Sequence, residues 1–143
     1  MNKANTEMLF SKHSSLFPTR NKLNDIPNNL TMFGFECGDG WVNLLDELFT
    51  KIKTLNEDFI IVQVKEKYGG LRVYTSSGSD ALYDLLDEAE KKSYTVCEDC
   101  GEDGKPRGSG WITTQCEECL KAQEDASDRK SSKRYPSKGG LLK

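Results

Sequence analysis

The chain has 143 residues, 36% of them hydrophobic and 30% charged, with five cysteines, one histidine and a net charge of −3. This length supports one modest core with a metal-stapled appendage rather than several domains. No run of eighteen apolar residues occurs, and the opening MNKANTEMLFSKHSSLFPTR lacks the basic start and apolar block of a secretory leader, so no membrane partner is expected and a reducing cytoplasm is.

The small net charge hides a segregation along the chain. Residues 36–128 carry 21 acids against 10 bases, a balance of −11, while residues 1–35 carry four bases and two acids. The segment from Arg129 carries six bases and no acid. So acidic a body repels a phosphate backbone unless its few cations are gathered in one place.

In chain order, residues 1–35 are weakly patterned. A short helix is expected near Thr6 to Leu16, followed by an Asn- and Pro-rich loop, PTRNKLNDIPNNLT. From Gly40, Trp41, Leu44, Leu45, Leu48, Phe49, Ile52 and Leu55 recur at three- and four-residue steps, the signature of an amphipathic helix, with Asp39 placed to cap its first turn. FIIVQVKEKYGGLRVYT reads as two antiparallel strands joined through Tyr68, Gly69 and Gly70. SGSDALYDLLDEAEKKS begins with capping residues, places Leu82, Leu85, Leu86 and Ala89 on one face and ends in Lys91 and Lys92, a second helix. The expected body, residues 36–95, is therefore α+β: a small antiparallel hairpin or sheet packed by two helices.

Residues 96–128 hold the strongest chemical signal. Cys97-x2-Cys100 and Cys116-x2-Cys119, separated by fifteen residues, have the spacing of a four-cysteine zinc site. Two intervening residues let a knuckle turn both sulfurs inward, and the glycine-rich connector can return as a hairpin. The module expected is treble-clef or zinc-ribbon-like. Two disulfides fit poorly with a chain lacking a secretory leader, and no strand–helix pattern of a thioredoxin-like redox pair surrounds either motif. Four thiolates close the coordination shell, so zinc is expected to stabilise the fold rather than to catalyse, and no catalytic residue is assigned. Residues 129–143 are too polar to bury themselves and are expected to be a disordered basic tail.

Two further stretches are candidate binding loops. FGFECGDGW gathers Glu36, Cys37, Asp39 and Trp41 in a glycine-flexed turn; the alternative is a helix start in which Cys37 and Trp41 are core. KEKYGGLR gathers Lys65, Lys67 and Arg72 around Tyr68, Gly69 and Gly70, either a surface for an anion or acidic partner or a plain hairpin with solvated cations.

Together FGFECGDGW, QVKEKYGGLRVY, SDALYDLLDEAEKKSYTVCEDCG and GWITTQCEEC resemble a group of small phage-encoded proteins with a C-terminal four-cysteine finger. The resemblance spans roughly residues 33–120 and implies a viral product working in the cytoplasm of a bacterial host, an accessory protein acting on host machinery or defence. The function expected is non-enzymatic binding of a host macromolecule, a protein first. The alternatives are a nucleic-acid-binding finger using Lys65, Lys67, Arg72 and the basic tail, and a hydrolase or nucleotide-modifying enzyme built on Glu36 and Asp39.

Overall fold

The computed structural model describes residues 1–17 and 29–126. The chain begins with a helix, α1 (Lys3–Lys12), whose Asn2 cap accepts the Asn5 N–H at 2.8 Å. Its large apolar residues, Met8, Leu9 and Phe10, are consecutive rather than spaced at helical intervals, yet Leu9 is fully buried. With Leu16 and Phe17 just beyond, it carries the segment read as weakly patterned into the core, and the helix starts three residues before the expected Thr6. Phe10, Phe17, Phe35 and Phe49 form an edge-and-tilt cluster with centroid spacings of 4.9–6.2 Å.

Most of the expected Asn-Pro loop, residues 18–28, lies outside the described residues, as does the basic tail. The end of that loop is helical: α2 (Asn29–Phe33) closes at Gly34, whose φ of +68° and N–H bond to Leu30 O at 2.8 Å make a left-handed helix stop. Strand β1 (Phe35–Glu36) follows.

Helix α3 (Val42–Lys53) buries the face the heptad-like spacing marks, Leu44, Leu45, Leu48, Phe49 and Ile52. Each such side chain contributes about 1.5–3 kcal/mol over leaving it in water. Asp39 does not cap this helix. A 3-10 turn over Asp39–Trp41 puts Trp41 at the cap position without a side-chain bond, and sets Asp39 two residues too early. Its carboxylate instead accepts the Asn2 N–H at 2.7 Å and Asn5 Nδ2 at 3.1 Å, tying the start of α1 to the start of α3.

Strands β2 (Ile61–Lys67) and β3 (Gly70–Thr75) form the expected antiparallel hairpin, with Lys67 opposite Gly70. The turn has positive φ at Tyr68 (54°) and Gly69 (83°), the geometry whose twist matches the strands. A register shift between Ile61 and Gln63 leaves Ile61 and Val64, three residues apart, both buried. β1 adds to β2 in parallel, Phe35 against Val64, so the sheet is three-stranded in the order β1-β2-β3. Helix α4 (Asp80–Ser93) is capped by Ser79 and buries Leu82 and Ala89. At its end Ser93 Oγ accepts the Leu71 N–H of β3 at 2.9 Å. The body is α+β, as the residue pattern requires.

Candidate metal centre and the adjoining aromatic cleft

After α4 the chain builds a small module from two knuckles and a two-stranded sheet, β4 (Lys105–Arg107) and β5 (Thr113–Gln115), paired antiparallel, and residues 117–126 form helix α5. The first knuckle closes through Gly101 N–H to Cys97 O at 2.9 Å, with Gly101 at φ +86°. In the second, the Cys119 N–H points at Cys116 Sγ, 3.4 Å away. Buried Gln115 ties the parts together, its Nε2 donating to Asp99 at 2.7 Å and to Gln123 at 2.8 Å.

The sulfurs of Cys97, Cys100, Cys116 and Cys119 lie within 4.8 Å of one another. Zinc–thiolate bonds of about 2.3 Å give a tetrahedral edge of about 3.8 Å, and Cys100 Sγ to Cys116 Sγ is 3.7 Å. All four are free thiols. They form a zinc-ribbon-like cluster that could hold a metal ion. Burial opposes ionisation of Cys97, but backbone N–H groups of Cys116, Cys100 and Asp99 more than offset it and draw the thiol down to about 7. Cys119 is raised, by burial and then by its neighbouring thiols. A set in which one thiolate hinders the next is one that a divalent cation resolves. Among the described residues it is the one group of three or more His, Cys, Asp or Glu side chains placed to hold an ion.

The two candidate loops meet this module. The Gly40 N–H donates to Glu98 O at 2.7 Å, the Gly38 N–H to Glu98 Oε2 at 2.9 Å and Trp41 Nε1 to Val96 O at 2.9 Å. A Cβ at Gly38 would lie 2.3 Å from Glu98 O, and one at Gly40 2.2 Å from Cys97 O. FGFECGDGW is thus a glycine socket for the first knuckle, with Trp41 fully buried beneath it. Cys37 is core, its thiol pushed up to about 12 by burial and then by the Glu98 charge. Burial also raises the Glu98 carboxyl, against the Gly38 N–H that lowers it.

The hairpin turn receives the second knuckle's strand. Thr114 Oγ1 donates to Gly69 O at 2.6 Å, and a Cβ on Gly69 would stand 3.1 Å from Thr114 Oγ1 and 3.2 Å from Ile112. Gly70 lies under Tyr94, where a Cβ would meet the hydroxyl at 2.4 Å. The remaining candidates do not converge on one point. Glu36 accepts from Gln63 Nε2 at 3.3 Å, Asp39 is committed to α1, Lys65 stands opposite both Glu36 and Arg72, and Arg72 reaches Glu90 at 3.6 Å.

Docking the hairpin turn on β5 creates a feature absent from the sequence pattern. Tyr68, 65% exposed, and Trp111, 83% exposed, line one cleft of about 240 Å³ with Glu66, Lys67, Gly110 and Ile112. Lys67 Nζ lies 5.7 Å from the Tyr68 ring centroid, and Glu66 Oε2 is fixed at the wall by the Gly69 N–H at 2.7 Å. Of these residues Lys67 and Tyr68 were candidates from the sequence, whereas Glu66, Gly110, Trp111 and Ile112 were not. The available signal was a tryptophan flanked by glycine in a charged connector, GSGWI, where no periodicity asks for an apolar side chain. A wider open depression, about 660 Å³, lies over Cys100 and Cys116 and is walled by charged side chains such as Glu102, Asp103, Glu118 and Lys105.

Comparisons with protein-family models, curated proteins and solved structures find no match to the chain. Among the described residues no helix is long and apolar enough to cross a membrane.

Proposed function

We propose that the protein is a zinc-stabilised, non-enzymatic binding protein that engages a host macromolecule, a protein in preference to a nucleic acid. Zinc is the ion that four clustered thiolates suit best, and four protein ligands leave it no open position. The observation that carries the reading is the docking of the module on the glycine turns. The backbone groups that could have cradled a small ligand are taken, the Gly38 and Gly40 N–H by Glu98 of the first knuckle, the Gly69 N–H by Glu66 and the Gly69 carbonyl by Thr114 of β5, while the same docking leaves Tyr68 and Trp111 exposed in one cleft. Exposed aromatic side chains grouped this way are typical anchors of protein interfaces.

The resemblance of residues 33–120 to small phage-encoded finger proteins extends the proposal to a phage accessory protein acting in the bacterial cytoplasm on host machinery or defence. The test is affinity capture from bacterial lysate with and without nuclease, together with elemental analysis. The proposal expects one zinc per chain and a protein partner retained after nuclease. It is contradicted by recovery of nucleic acid alone, or by turnover of nucleotides, nucleic acids or peptides that Glu36→Ala or Cys37→Ala abolishes.

A further inference from the structure

We infer that the Tyr68–Trp111 cleft receives an arginine side chain from a basic segment of a protein partner, an inference that rests on the binding-protein reading and names the partner's chemistry. The aromatic side chains of Tyr68 and Trp111 and the aliphatic Ile112 line the cleft, a surface suited to a planar, weakly hydrated cation, since guanidinium groups stack on aromatic rings. Glu66, held at the wall by the Gly69 N–H, supplies a carboxylate. The Tyr68 ring already holds a cation at its face, since Lys67 Nζ lies 5.7 Å from its centroid. Lys67 therefore stands where an incoming cation would sit.

A nucleobase could stack on the same rings, so the surroundings decide. Within a chain of net charge −3, residues 36–128, which build the cleft, carry 21 acidic against 10 basic side chains, and a zinc ion with four thiolates adds two further negative charges there. Arg72, the cation on the neighbouring strand, is turned to Glu90. This field draws a basic segment and repels a phosphate chain.

The metal module makes the cleft: Tyr68 comes from the sheet's hairpin and Trp111 from the module, joined by the Thr114 hydroxyl on Gly69 O. The chain holds two tryptophans, and Trp41 is fully buried, so a change in solvent-accessible indole emission reports on Trp111.

The experiment titrates the full zinc-loaded chain with an eight-residue Arg/Gly peptide free of aromatic residues, and separately with an oligo-dT single strand, following tryptophan emission. The peptide is expected to give a saturable change, weakened about two- to fivefold or more by Tyr68→Asn, which keeps a residue tolerant of positive φ, and by Glu66→Gln. For Trp111→Ser, read by anisotropy of labelled peptide, the same loss is expected. Lys67→Met removes the resident cation and is expected to tighten peptide binding about two- to fivefold. A site for nucleic acid requires the opposite sign, because Lys67 would then contact phosphate. Weaker peptide binding in Lys67→Met, a response to the oligonucleotide alone, or no response to either probe overturns the inference. A lysate partner captured equally well by Tyr68→Asn and Trp111→Ser overturns it while leaving the binding-protein reading intact.

Discussion

The backbone N–H of Gly40 donates to the carbonyl of Glu98 across 2.7 Å, joining the start of α3 to the middle of the first knuckle. A Cβ at residue 40 would lie 2.2 Å from Cys97 O and 2.6 Å from Gly101 N, both backbone atoms that no side-chain rotation can move. Gly40→Ala is therefore expected to destabilise by about 1–3 kcal/mol and to speed zinc loss to a chelator. Gly110→Ala, whose Cβ would meet nothing within 4 Å, is the matched control and should leave the melting temperature unchanged. Equal melting temperatures for the two variants would refute the socket.

The second attachment point is a single hydroxyl. Thr114 is fully buried and donates to Gly69 O at 2.6 Å. Thr114→Val preserves shape and strands that carbonyl, a loss of about 1–3 kcal/mol. The zinc content should stay at one per chain, and acrylamide quenching of Trp111 should change as the cleft loosens. Unchanged denaturant midpoints would show that the contact contributes nothing.

His13 predicts a pH dependence. It is fully buried, its Nε2 is 2.6 Å from Asp46 Oδ1 and its Nδ1 has no partner, the pattern of a neutral ring donating through Nε2. Burial lowers its pKa below 6.5, with Lys53 and Lys12 acting in the same direction and Asp46 opposing. The unfolded chain therefore binds a proton more readily, so this contribution is present above pH 6.5 and is lost as pH falls through and below it, with a slope of up to about 1.4 kcal/mol per pH unit. Glu98, raised by burial, acts with the opposite sign above its unfolded value of 4.5. Comparison with His13→Gln separates the two. Urea titrations from pH 7.5 to 5 should show a shallower loss in the variant, and identical slopes would rule the assignment out.

Cys37 and the cluster cysteines should differ in thiol chemistry. With its pKa at about 12, Cys37 is protonated and buried, so the native zinc-loaded protein should react slowly with a thiol-specific disulfide reagent. Denaturant plus chelator should expose all five cysteines. Cys37→Ser should keep one zinc per chain, whereas Cys97→Ser or Cys116→Ser should lose the metal and most soluble protein. Metal loss in Cys37→Ser with its fold intact would mean that the ligand set is misassigned.

What the residues reveal on their own follows from the range of the forces involved. Helix α3, the Tyr68–Gly69 turn, α4 with its Ser79 cap and the paired knuckles are local patterns, readable from spacing and turn chemistry. Helix α1 is held by Leu9 and by Asp39, thirty-seven residues from Asn2, and β1 is held by a parallel pairing to Val64; neither leaves a periodic trace. The same distance effect hides the sockets. Glycines at 38, 40 and 69 advertise a close approach without saying whether a ligand or the protein itself makes it, and here the backbone of Glu98 and Cys97 and the side chain of Thr114 do.

Hydrogen exchange at the amides of Gly40 and Glu98, measured before and after the metal is chelated, tests the central claim most directly. Gly40 N–H bonds to Glu98 O and reports on the module's seat, while Glu98 N–H bonds to Thr114 O at 2.9 Å inside the module and reports on its fold. The account predicts that both amides are protected in the zinc-loaded protein and lose protection together on chelation, while amides in the middle of α3 exchange more slowly than either. Protection at Gly40 and Glu98 that survives complete removal of the metal would contradict it.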